Sequence, residues 1–135
     1  MPEKETLERA EEDRREGKAA TTQAGEFVRE EIHHVREGKH GARSAKQAIA
    51  IGLSKARRAG VPLPPPRKGK KATRRSAASA YRAGQQGKRK TSGRRARAAE
   101  RALKREPRRS VSRTALSRQA RTAARRRKSP ARRAA

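Results

Sequence analysis

The stretch "GVPLPPPRKGKK" (60–71) constrains this chain more than any other. Pro62, Pro64, Pro65 and Pro66 set an extended, polyproline-like path that no helix continues across. The charge balance changes at the same place. Residues 1–60 carry 13 Lys/Arg and 11 Asp/Glu, a net of +2. Residues 61–135 carry 27 Lys/Arg against only Glu100 and Glu106, a net of +25. A near-neutral head (1–60) is thus joined by a Pro-rich linker (61–66) to a basic, low-complexity tail (67–135).

Neither part has much to bury. Only 30% of the residues are hydrophobic, with one Phe, one Tyr and no Trp. Low hydrophobicity with a net charge of +27 marks chains whose apolar burial does not offset backbone entropy. The expected fold class is mainly α: a small helical hairpin head and a long, mostly disordered basic C-terminal tail.

Three helices are expected in the head. "EKETLERAEEDRREG" predicts a polar helix over 3–16, with Glu5–Arg9 and Glu11–Arg15 as i,i+4 pairs of about 0.2–0.5 kcal/mol each and Gly17 as its stop. Its apolar content is Leu7 and Ala10, a weak anchor. The second helix, 23–36, places Ala24, Phe27, Val28, Glu31, Ile32 and Val35 on one side, with Thr22 as a cap and Gly38 as a stop. The third, 44–59, opens on a capping box, Ser44 and Gln47, and lines up Ala45, Ala48, Ile49, Gly52, Leu53, Ala56 and Ala59. Small residues in that stripe let a partner helix approach closely, so the second and third helices should pair. A hairpin of roughly 40 residues is small for one core, so either the first helix folds over it or two copies pair, with a homodimer or partner-assisted stability the favoured expectation. In the tail, 93–106 and 110–127 have helical composition. Arginine repulsion opposes those helices in water, and phosphate neutralisation would relieve it, so they are expected to be conditionally helical.

An excess of positive charge this large implies a polyanion, with DNA first and RNA as the alternative. Arginine outnumbers lysine in the tail, and its planar fork suits bidentate phosphate contact. The expected phosphate contacts are Arg67, Lys68, Lys70, Lys71, Arg74, Arg75, Lys88, Arg89, Lys90, Arg94, Arg95, Arg108, Arg109, Arg125, Arg126, Arg127 and Lys128. Lys46, Arg57 and Arg58, on the polar face of helix 44–59, either contact a groove or form a solvated face. The loop before that helix is too long for a helix-turn-helix.

Other chemistries find little support. There is no cysteine for a disulfide or thiolate site, and no P-loop or nucleophile elbow, so no enzyme is expected. His33, His34 and His40 invite a metal reading. Adjacent histidines on a helix diverge by about 100°, however, and Glu30, Glu31 and Glu37 show no recognised ligand spacing, so no metal and no cofactor is expected. Tyr81 and Phe27 are too few for a base-stacking platform. No apolar run approaches the length of a membrane span, the tail's alanines suit a lipid surface poorly, and the acidic N-terminus resembles no signal peptide. The expected location is cytoplasmic and nucleoid-associated.

The stretch 22–66, and most of all "REGKHGARSAKQAIAIGLSKARRAG", resembles small proteobacterial DNA-binding or plasmid-stabilisation proteins that share this plan of helical start, central segment and Lys/Arg/Ala-rich tail. The tail, including "KSPARRAA", is similar in composition to linker-histone tails. The resemblance implies DNA association without a defined mechanism. Together with the charge, it leads to the expectation of a histone-like, largely sequence-nonspecific DNA-binding protein that helps compact or bridge DNA. The alternatives are an RNA- or ribosome-associated basic protein, and a plasmid-maintenance adaptor whose head binds a protein.

Overall fold

A computed structural model describes residues 2–87 and 92–134, with side chains as far as Arg127. Among these residues run six α-helices: α1 (Lys4–Arg15), α2 (Ala20–Glu37), α3 (Ala45–Arg58), α4 (Lys71–Gln85), α5 (Gly93–Lys104) and α6 (Arg113–Ala134). A short 3-10 turn, Arg109–Val111, precedes α6.

Helix ends in the first half follow local chemistry. Gly17, Gly38 and Gly60 all have positive φ, and at each the glycine N–H and the next N–H bond back to the last-turn carbonyls. This paired arrangement satisfies the orphan acceptors of a helix C-terminus. At Gly60 it also drives Val61 onto Ala56, the apolar contact that accompanies the motif. At the start of α3, Ser44 Oγ accepts from Gln47 N at 3.1 Å. The Gln47 side chain accepts from Arg43 N rather than from Ser44 N, so the capping box closes one residue early. Thr22 is not a cap: α2 begins at Ala20, two residues before it.

α2 and α3 lie across one another so closely that a Cβ on Gly52 would sit 2.6 Å from Val28 Cα. α1 packs on α2 through Ala10 and through Glu30, whose Oε1 accepts from Glu3 N and, at 3.3 Å, from Thr6 Oγ1. Leu7 stays 42% exposed. On the surface of α1, Arg9 pairs with Glu5 at 3.5 Å, whereas Glu11 pairs with Arg14 rather than Arg15.

The apolar side chains form two small cores. Ala10, Ala24, Phe27, Ala56 and Val61 make the first, with Leu53 and Leu63 against it. Val35, Ala42, Ala48 and Val111 make the second, with Ile32 and Leu116 against it. Val111 and Leu116 come from the basic half of the chain, and this overturns the expectation of a long disordered tail. α4 lies on α3 with Ala77 and Ala80 buried, and a Cβ on Gly84 would meet the Arg57 carbonyl at 1.7 Å. Further on, Gly41 N donates to Leu103 O at 2.8 Å and Ala42 N to Pro107 O at 2.9 Å. Arg108 caps the junction from outside, donating to Arg36 O at 2.5 Å.

The physical reason is packing. Ala42 and Ala48 are too small to close the second core, and Val111, fully buried, supplies the missing volume. An average over the basic half hides the few apolar residues that matter. The Pro-rich segment is likewise docked: Val61 is buried and Leu63 half-buried. No described helix is long and apolar enough to cross a membrane.

Candidate functional site

Two features of the molecule carry chemistry: an exposed basic surface and a buried polar cluster. The basic surface begins where the chain leaves the proline segment. Arg67, Lys68, Lys70, Lys71, Arg74 and Arg75 are all exposed, the last three within the first five residues of α4. No acidic residue stands in the first turn of α4 or of α5. Indeed, residues 38–99 contain no Asp or Glu at all. Cations at a helix N-terminus oppose the helix dipole, and here nothing nearby in sequence offsets them.

Further along, Arg94 and Arg95 are exposed on α5, as are Arg109 and, on α6, Arg125, Arg126 and Arg127. No residue of α5 is buried, and only Leu103, near its C-terminal end, is half-buried. Lys46 and Arg58 are exposed on α3. Lys88, Arg89 and Lys90 lie outside the described residues, as does the side chain of Lys128.

Arg57 departs from its expected role. It is 8% exposed, and its guanidinium donates to Leu63 O at 3.1 Å and Pro64 O at 3.2 Å. Burial pulls its pKa below the usual arginine value. It ties the proline segment to α3, and its burial sets it apart from the exposed cations. Arg108 is exposed, yet its guanidinium lies against Gly38 and bonds to the end of α2. Both are fastenings of the fold.

The buried cluster sits between α1, α2 and the loop before α3. Its centre is Glu31, which is fully buried. One carboxylate oxygen, Oε1, pairs with Lys55 of α3; the other, Oε2, stands 3.3 Å from His40 Nε2. His34, three residues along α2, is buried and bonds through Nε2 to Glu3 Oε1 at 3.0 Å. The rings of His34 and His40 meet edge to face with centroids 5.9 Å apart. Lys39 Nζ reaches Glu3 Oε1 at 3.1 Å, and the bonds from His34 and Lys39 hold the Glu3 carboxyl below its ordinary pKa. In return, Glu3 raises the Lys39 ammonium.

No recognised ligand spacing joins Glu30, Glu31, His34 and His40 in the sequence, yet the fold brings them together. The helical argument against adjacent ligands holds for His33, which is exposed and pairs with Glu37 at 2.7 Å. It does not govern His40, which the chain reversal at Gly38 returns to α2. The sequence did carry one signal. Glu31 falls in the apolar stripe with Phe27, Val28 and Val35, and a carboxylate in such a stripe has to find partners inside.

Residues 15–68 match the model of a family described as a family of unknown function (DUF6496). That stretch is less than half of the chain and runs from the end of α1 to the start of the exposed basic surface. It contains Glu31, His34, His40, Lys55 and Arg57, whereas most of the exposed cations follow it. No curated protein and no solved structure matches the chain.

Proposed function

We propose that the protein binds duplex DNA through the exposed cations of its basic half, with little dependence on base sequence. The observation that carries this reading is the run Arg67–Arg75, six exposed cations in nine residues within a segment that lacks any acid. Three of these cations stand at the positive end of α4, an arrangement a phosphate would relieve. Phosphate neutralisation gives affinity that is insensitive to sequence and steeply dependent on salt. The resemblance of 22–66 to small DNA-binding and plasmid-stabilisation proteins points the same way. In this reading α3 and the second core hold α4 and the start of α6, so the cations stand on a folded support.

The test replaces Arg67, Lys68, Lys70, Lys71, Arg74 and Arg75 together by Gln in the full chain. All six side chains are exposed, so the fold should survive. The dependence of log Kd for duplex DNA on log salt should flatten by about 5, close to 0.9 for each lost phosphate contact. An unchanged slope would remove this surface from the interface. Competition with structured RNA decides the partner: RNA displacing DNA at equal phosphate concentration would favour the RNA-associated reading.

A further inference from the structure

We infer that Glu31, His34 and His40 form a binding site for a divalent transition-metal ion of zinc type. One carboxylate oxygen of Glu31 and one ring nitrogen from each histidine lie within 4.8 Å of one another. Imidazole nitrogen and carboxylate oxygen are the ligands such an ion accepts, whereas Mg²⁺ and Ca²⁺ favour all-oxygen sites. His40 Nδ1 lies 2.9 Å from the Gly41 carbonyl, which can only accept, so Nδ1 carries a hydrogen. The other ring nitrogen, Nε2, is left to face Glu31 Oε2. The two atoms stand 3.3 Å apart, a gap that a cation shared between them would bridge. That separation is also close to the ligand–ligand distance of roughly 3.3 Å that tetrahedral bonds of about 2.0 Å require.

The second observation is independent of ligand spacing. Glu31 Oε2 is buried and receives no hydrogen bond. Lys55 is the one ammonium group paired with Glu31 among the described residues, and it takes the other oxygen, Oε1. Buried carboxylate oxygens left without a donor are costly, and a metal at Glu31 would satisfy one of them. Lys55 occupies the other Glu31 oxygen, and Glu3 on His34 Nε2 supplies the carboxylate that orients a ligating imidazole. Three protein ligands leave one position open for water.

Such an ion would do more than fill a gap. His40 stands on the loop between α2 and α3, and the next two residues, Gly41 and Ala42, hold the carbonyls of Leu103 and Pro107. A metal joining His40 to α2 would therefore stiffen the loop on which the basic half of the chain is docked.

The full chain, stripped with a chelator and free of nucleic acid, is titrated with Zn²⁺ and, for its spectrum, with Co²⁺. One equivalent should bind, Co²⁺ should give the intense visible absorption of a tetrahedral site, and amide exchange at Gly41 and Ala42 should slow. His40→Asn and Glu31→Gln should each weaken binding by at least about tenfold, while His33→Gln should leave it unchanged. Far-ultraviolet circular dichroism shows whether each variant keeps its helices, and Glu31→Gln preserves side-chain shape if His40→Asn does not fold. Weak binding that does not saturate, an octahedral Co²⁺ spectrum, or equal losses in the His33 and His40 variants would overturn the assignment.

Discussion

Arg57 and Arg58 are neighbours in one sequence and opposites in one structure. Arg58 points to solvent, while Arg57 is buried with both Leu63 and Pro64 carbonyls in its grip. Hydrogen bonds from a charged group contribute about 1.5–3 kcal/mol, and those carbonyls would be left without their donor in Arg57→Ala. That variant should lose about 2 kcal/mol in denaturant unfolding while its salt slope for DNA stays put. Arg58→Ala should keep its stability and lose slope only if it touches phosphate. Gly41 is a second residue whose identity is forced. A Cβ there would lie 1.7 Å from the Glu106 carbonyl, a backbone atom that cannot move aside alone. Gly41→Ala should release the Leu103–Pro107 contact, visible as fast amide exchange at residues 41 and 42, with α1 to α3 still helical. Neither role was legible in advance: nothing in "KARRAG" or "KHGAR" says which arginine turns inward or which backbone arrives from 60 residues away.

The helices themselves were the most legible level. The stretches expected at 3–16, 23–36 and 44–59 fall on α1, α2 and α3, because glycine stops and a serine cap act within a few residues of sequence. The crossing of α2 over α3 rests on Gly52, a small residue in the α3 stripe. Gly52→Leu would force bulk into a gap where even a Cβ is 2.6 Å from Val28, and should cost about 1–3 kcal/mol or split the pair. The face of α2 was less legible. Hydropathy places Val28 and Ile32 inward, yet both are half-buried, while Glu30 and His34 are buried by polar contacts that hydropathy cannot score. The basic half was the least legible. Its helices are α4, α5 and α6, already formed without phosphate, so saturating duplex DNA should change the circular dichroism little.

At the scale of the whole molecule, the head and the basic half share their cores. Ala77 and Ala80 cover α3, and Val111 with Leu116 completes the core of Val35, Ala42 and Ala48. Composition concealed this, because a net of +25 over 75 residues says nothing about where two branched side chains fall. Cutting the chain at Pro66 should therefore remove DNA affinity and destabilise the head together. Val111→Asp would place an unpaired carboxylate in a fully buried position and should free residues 103–116 while leaving every exposed cation in place. The basic half is thus docked before any partner arrives. Native-state amide exchange of the free, full-length protein tests this at the Gly41 and Ala42 N–H groups, which bond to Leu103 O and Pro107 O. Both amides should be protected without nucleic acid and lose that protection in Val111→Asp; exchange at the unfolded rate in the unmodified protein would show that the basic half is not docked.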